Sequence, residues 1–241
     1  MTVSDSKYAE EISFWTQELD RYVIWYNGKV KEFYGVPAPA PEARITRFQD
    51  IRLNALETWV NADRWRYCKH LMIEPTYFTG KHVLEVGCGP LRLSRWFTDA
   101  SVVGLDPLFE QYEAAGYPSV PNKLQAYAEN IPIADNTFDA AFSVNAIDHV
   151  DDFDKAIAEV ERVVKPDGEI RIEVHYHAPT VTEPLVLNDA RVLQAFSKFR
   201  VRKIYETAST TFYPAGTHPK SDRFALWSNI AYTYNAIVGL R

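Results

Sequence analysis

Three sets of residues in this chain have the types and spacing to do chemistry. The first is Glu85, Gly87, Cys88 and Gly89, followed by Pro90. The apolar run that includes Val83, Leu84 and Val86 ends in two glycines. Glycine accepts positive φ and leaves no β-carbon between the backbone and a ligand, so a cofactor can lie on the main chain here. Glu85, just ahead of the turn, would repel a diphosphate and attract a cation. Arg92 stands where a pyrophosphate-binding G-x-G-x-x-G turn has its third glycine. The pattern therefore favours a positively charged cofactor. The second set is Asp106 with Pro107, about twenty residues past the turn, where an acid can accept hydrogen bonds from ribose hydroxyls. An Asp-Pro pair after a strand also serves simply as a turn. The third set is His149, His175 and His177, which follow strands at the edge where open α/β sheets bind ligands. Histidine is the side chain that takes a proton from an alcohol near neutral pH.

His149 is equally suited to a structural hydrogen bond. His175 and His177 are two apart, so an extended chain points them the same way, as a base and a substrate donor. With Glu173 they also form a conceivable ligand set, although alternating histidines at a strand end are weak evidence and no metal is expected. His70, His82 and His218 have no constellation around them in the sequence.

The elements that must position these residues are legible as pattern. From residue 80 onward strands and helices alternate, the signature of βαβ units. The strand ending at Val86 leads into a helix over 91–98 and a strand over 101–105. Further strands are expected over 123–127, 140–144 and 169–174. Asp151 or Asp152 caps a helix running through Val164, with Ile157, Val160, Val163 and Val164 on its inner side. Lys165-Pro166-Asp167-Gly168 then breaks that helix. A helix over 189–199 and strands over 201–210 and 223–227 complete the reading. Before residue 80 the chain is mostly helical, with one helix from a Ser4 or Ser6 cap to about Leu19 and another over 51–73. Between them lie Tyr22, Trp25, Tyr26, Phe33 and Tyr34, which either line a pocket or pack this segment onto the rest. The prolines at 37, 39 and 41 mark a stiff linker. Arg44, Arg47, Arg52, Arg64 and Arg66 read either as solvated surface or as a grip for an anionic substrate. The division expected is a cap over 1–79 and a catalytic domain over 80–241.

The Glu85-x-Gly87-x-Gly89 turn resembles motif I of the class I S-adenosylmethionine-dependent methyltransferases. The helix, Lys-Pro-x-Gly, strand passage over 165–168 is a second, independent likeness. Residues 128–139 are similar to the family segment that covers the adenine. The resemblance spans about 80–227, in the manner of the ubiquinone/menaquinone-methyltransferase branch. It departs from the family at Leu91, in place of the last glycine, and at Tyr127, in place of an aspartate. It implies a Rossmann-like α/β fold: a seven-stranded, mostly parallel sheet with an antiparallel C-terminal hairpin and helices on both faces, here with an N-terminal helical cap.

As cofactor the resemblance implies S-adenosylmethionine, bound by Glu85, Gly87, Cys88, Gly89, Asp106, Pro107, Ala128, Glu129 and Asn145. The adenine amino contact falls to Glu129 or to the Ala128 amide. The implied reaction is methyl transfer to a small-molecule acceptor, expected to be a hydroxyl of a sugar or secondary metabolite. His149, His175 and His177 are the catalytic candidates. Two rival readings are a nicotinamide-dependent oxidoreductase and a cofactor-binding partner subunit without catalysis.

Composition limits the partners. The 241 residues are 46% apolar and 14% aromatic, a globular profile, and the net charge is −6. That charge lacks the basic excess of a nucleic-acid surface, so no nucleic-acid partner is expected. The two cysteines, one of them inside the glycine turn, do not make a disulfide framework. With neither a signal-peptide pattern nor a membrane-length apolar run, the sequence reads as cytoplasmic and away from the membrane.

Overall fold

The computed structural model describes residues 3–71, 73–91, 93–176, 178–196, 205–207 and 223–226. Helix α1 (Val3–Tyr26) is followed by a small hairpin, β1 (Glu32–Phe33) and β2 (Val36–Pro37), and by α2 (Ile51–Ala62) and α3 (Arg66–Leu71). The α/β part comprises β3 (His82–Val86), β4 (Ser101–Leu105), α4 (Phe109–Ala114), β5 (Lys123–Leu124), β6 (Phe138–Val144), α5 (Phe153–Val163) and β7 (Val164–Tyr176). Helix α6 (Asp189–Ala195) and strands β8 (Tyr205–Thr207) and β9 (Arg223–Leu226) follow.

The strand order is β5-β4-β3-β6-β7-β9-β8. The first five strands pair in parallel, and β9 pairs antiparallel with both β7 and β8. The mostly parallel α/β sheet read from the sequence is the fold of the protein.

Both faces of this sheet are covered, which explains the uninterrupted apolar character of β3. Side chains alternate across a strand, so Val83 packs with Phe78, Phe97 and Phe142 on one face. Leu84 packs on the other with Ile170, Ile172 and the inner side of α5. Helix α5 carries Ala156, Ile157, Val160 and Val163 on that side, three and four residues apart, and all are buried. The Asp152 carboxylate caps it by accepting the Lys155 amide at 3.1 Å.

A third cluster joins the N-terminal segment to the α/β part. Leu19, Tyr22 and Trp25 of α1 meet Leu56 and Trp59 of α2, and the same cluster includes Cys88, Leu93, Leu108 and Phe109. The helical segment thus shares a core with the residues that follow β3 and β4.

The structure corrects several boundaries. Helix α1 runs seven residues beyond Leu19 to Tyr26, because Tyr22, Trp25 and Tyr26 are buried and continue its inner side. The single helix expected over 51–73 is two, broken after Ala62 where the Asp63 carboxylate turns back to pair with Arg66. The helix expected over 91–98 is only a 3₁₀ turn at Leu93–Trp96. The Lys165–Gly168 break lies inside β7, across a register irregularity opposite β6, with Lys165 Nζ 2.6 Å from Asp139 Oδ1.

Candidate functional site

A cavity of about 260 Å³ opens at the carboxyl edge of the sheet, beneath α1. Its floor is the turn after β3, where Gly87 and Gly89 have φ of +69° and +55°. The Gly87 and Cys88 amides donate to the Leu105 carbonyl, at 2.8 and 3.2 Å, and so fix the turn to the end of β4. Gly87 is glycine for a reason the sequence concealed. A β-carbon there would lie 2.3 Å from Cβ of Ala146, in the loop after β6. At Gly87 the room is therefore taken by a neighbouring loop rather than left for a ligand.

Asp106 is nearly buried, at 5% exposure, on the cavity wall. Its Oδ2 accepts the Gly89 amide and its Oδ1 the Leu108 amide, both at 2.9 Å. Burial pushes its pKa up to about 6, although the two amide bonds pull the other way.

Pro107, Ala128, Glu129 and Asn145 also line the cavity, as do Gly87, Cys88 and Gly89. Glu129 Oε1 accepts the amides of Asp151 and Asp152 at 2.8 and 3.3 Å, so it braces the start of α5 as well. Exposed Tyr127 faces Tyr8 of α1, with ring centroids 5.9 Å apart. Asn145 sits at φ +50° and donates its amide to the Glu173 carbonyl at 3.1 Å. Glu85, alone among the expected cofactor residues, is not on the cavity wall. It is 1% exposed, and the Ser94 hydroxyl donates to its Oε2. Its carboxylate holds the turn from behind.

Of the histidine candidates, His149 lines the cavity between Glu11 of α1 and Glu183. Burial disfavours its charge, yet the two carboxylates outweigh this and raise its pKa well above the usual histidine value. The two flanking carboxylates thus favour the protonated ring. It serves to fasten α1 over the sheet, as does Lys7, 2.6 Å from Asp151. His175 is in β7 in register with Phe224. His177 and His218 lie outside the described residues. Among the described residues, no group of three metal-ligating side chains is assembled.

Several cavity residues were not legible as such. Glu11, Glu18, Trp59 and Tyr67 line it, and of the five arginines only Arg66 does. Tyr22 and Tyr34 face it too, whereas Trp25 is core and donates its indole N–H to the Val36 carbonyl at 2.9 Å. His70 is not isolated: its Nδ1 contacts Glu173 Oε2 on the cavity wall, across a separation of 103 residues. No local spacing could have signalled that pair.

Residues 84–172 match the family model of the methyltransferase domain. This segment is similar to a methyltransferase domain. It resembles malonyl-[acyl-carrier protein] O-methyltransferase of Pseudescherichia vulneris, 36% identical over 93 residues, which are 36% of each chain. A demethylmenaquinone methyltransferase of Symbiobacterium thermophilum is 27% identical over 152 residues, 56% of this chain and 61% of that one. The matches thus span less than two thirds of these relatives' length. The solved YcgJ protein of Bacillus subtilis has the same fold, with a TM-score of 0.50 and 24% identity over 59% of this chain and 72% of that one. Among the described residues, no helix is long and apolar enough to cross a membrane.

One consequence concerns pH. A ribose diol donates hydrogen bonds, so a nucleoside held at Asp106 would bind with the carboxylate ionised. The raised pKa puts that ionisation at about 6. Affinity for S-adenosylhomocysteine should rise between pH 5 and pH 7 and then level off, as read by titration calorimetry. A flat profile across that range would remove Asp106 from the ribose.

Proposed function

We propose that the protein transfers a methyl group from S-adenosylmethionine to a hydroxyl of a small molecule. The observation that carries this reading is the convergence of the Gly87–Gly89 turn, Asp106 and the Ala128–Glu129 loop on one cavity. Asp106 would hold the ribose and the 127–129 loop the adenine. Acidic Glu11 and Glu129, with the aromatic wall, suit a cation, since carboxylates and ring faces both attract positive charge. When bound, S-adenosylmethionine supplies a methyl carbon on a positively charged sulfur, open to direct displacement.

The chain's own contribution is alignment and exclusion of water. Residues 1–79 act as the cap: α1 roofs the cavity, held by the Lys7–Asp151 and Glu11–His149–Glu183 contacts. The rings of Tyr22, Tyr34, Trp59 and Tyr67 line the same space. They offer flat apolar surface against which a ring-shaped acceptor can stack. Arg66 lies over the Trp59 ring, 5.0 Å from its centroid, and can hold a polar edge of such an acceptor.

The test is calorimetry with S-adenosylhomocysteine, followed by incubation with methyl-labelled S-adenosylmethionine and a panel of sugars, phenols and amines. Binding of the nucleoside and label in a hydroxyl compound are expected. Tight binding of NAD with none of the homocysteine nucleoside would overturn the cofactor reading. Nucleoside binding with label only in amines would overturn the hydroxyl.

A further inference from the structure

Arg66 is the one arginine on the cavity wall among the described residues. Its Nε donates to Asp63 Oδ2, whereas neither Nη has a hydrogen bond to a described residue. The side chain is 18% exposed, and both Nη atoms keep accessible surface. Asp63 is also shared, since Lys69 Nζ lies 3.9 Å from its Oδ1. One carboxylate between two cations leaves a positive charge in excess. Glu18 and Glu173, acids of the same cavity, are matched within the protein by Arg21, at 2.6 Å, and by His70. A planar fork with two unused donor nitrogens is the shape that grips a carboxylate bidentately.

Aromatic rings flank the fork. The guanidinium carbon lies 5.0 Å from the Trp59 ring centroid and 5.7 Å from that of Tyr34, and half-buried Tyr34 and Tyr67 line the cavity beside it. Contacts along α1 set the order of the cavity. Tyr8 meets the Tyr127 ring, Trp15 lies beside Gly89, and Tyr22 meets the Trp59 ring at 5.1 Å. From Tyr8 to Tyr22 the helix rises about 21 Å, at about 1.5 Å per residue. A nucleoside at Asp106 and the 127–129 loop takes the Tyr8 end, with the glycine turn midway. The Arg66 end then remains for the acceptor. This argument rests on the cofactor placement and the methyl transfer given under Proposed function.

We propose that the acceptor is an aromatic hydroxy acid, held by its carboxylate on Arg66, with its ring against Tyr34 and Tyr67 and its hydroxyl directed back toward the glycine turn. The carboxylate is the handle and the hydroxyl is the group methylated. A rigid ring with the two groups at opposite ends suits this arrangement, because anchoring one end aims the other at little cost in entropy. A neutral compound of the same shape would displace water from the guanidinium without supplying a charged partner, and such a desolvated cation is penalised. Arg66 therefore selects acids over their neutral counterparts.

The test is calorimetry of the full chain saturated with S-adenosylhomocysteine, using para-hydroxybenzoate and para-hydroxycinnamate and, as neutral matches, their amides. The acids should bind about tenfold or more tightly than the amides. Arg66→Gln keeps a donor for Asp63; it should weaken the acids about tenfold or more and leave the amides within about threefold. Equal binding of acid and amide by the wild type, or no binding of either acid, would overturn the proposal, and that comparison needs no variant. The methionine part of the donor also carries a carboxylate, so S-adenosylhomocysteine is compared with methylthioadenosine, which lacks it. Arg66→Gln should change neither affinity by more than about threefold. A loss confined to S-adenosylhomocysteine would put Arg66 on the donor and overturn the proposal. With methyl-labelled S-adenosylmethionine the label should enter the acid as an ether; label released by mild alkali would mark an ester and overturn it as well. Failure of the wild type to bind S-adenosylhomocysteine would instead sink the cofactor reading beneath it, and this proposal with it.

Discussion

Gly87→Val is expected to lower the melting temperature by roughly 5–15 °C. Two costs add at this position. The backbone sits at φ +69°, a region that costs an L-residue about 1–2 kcal/mol and is worst for a β-branched one. The new β-carbon would also fall 2.3 Å from Cβ of Ala146, so the loop after β6 must move, at about 1–3 kcal/mol for overpacking. In a chain of this size each kcal/mol is worth about 2–4 °C. Gly89→Ala is the matched control. Its φ is also positive, at +55°, but its β-carbon would meet only Trp15, at an ordinary 3.7 Å. The control should lose about 2–8 °C, the backbone cost alone. Thermal unfolding followed by circular dichroism separates the two. Equal shifts for both variants would show that the contact between the loops after β3 and β6 does not exist in solution.

Asp106→Ala should weaken S-adenosylhomocysteine binding by about tenfold to about 150-fold. A hydrogen bond to a charged acceptor is worth about 1.5–3 kcal/mol, and each 1.4 kcal/mol is tenfold in affinity. The variant removes more than a ligand contact, because the carboxylate also receives the Gly89 and Leu108 amides and so joins the glycine turn to the end of β4. Asp106→Asn separates the two roles. Its amide oxygen can still accept one backbone N–H, but its NH₂ group has no lone pair for the other. The asparagine variant should hold most of the melting temperature yet bind the nucleoside less well. Calorimetric affinity unchanged in both variants would leave Asp106 as a purely structural brace.

Both positions stand out from the sequence because their signal is local. Two glycines closing an apolar run, and an acid at the end of the next strand, are written in consecutive residues. Backbone geometry turns such spacing directly into a shared sheet edge. The same is true of α5, whose periodicity and Asp152 cap announce it, and of the parallel strands on either side of β3. Of the residues expected to hold the cofactor, all but Glu85 line the cavity. Glu85 escaped because pattern places a residue on a strand but does not say what lies behind it. Here Ser94 does, on the 3₁₀ turn that replaced an expected helix.

The rest of the cavity wall was not readable. His70 looked isolated, and Glu173 looked like a partner for the histidines beside it. The contacts of His149 with Glu11 and Glu183 come from distant segments and have no local signal. Tyr22 and Tyr34 could not be separated from Trp25 by type or spacing, since all three are aromatic residues from one stretch. The sequence by itself determined the strand-and-helix alternation, the glycine turn and the acid that follows it, because hydrophobic periodicity and backbone conformational preference act over a few residues. Tertiary structure alone decided which carboxylate meets which imidazole and what fills the space beside Gly87. Those contacts depend on how α1, α3 and the loop after β6 dock on the sheet edge, and docking is a sum of packing over the whole core that no short window of residues encodes.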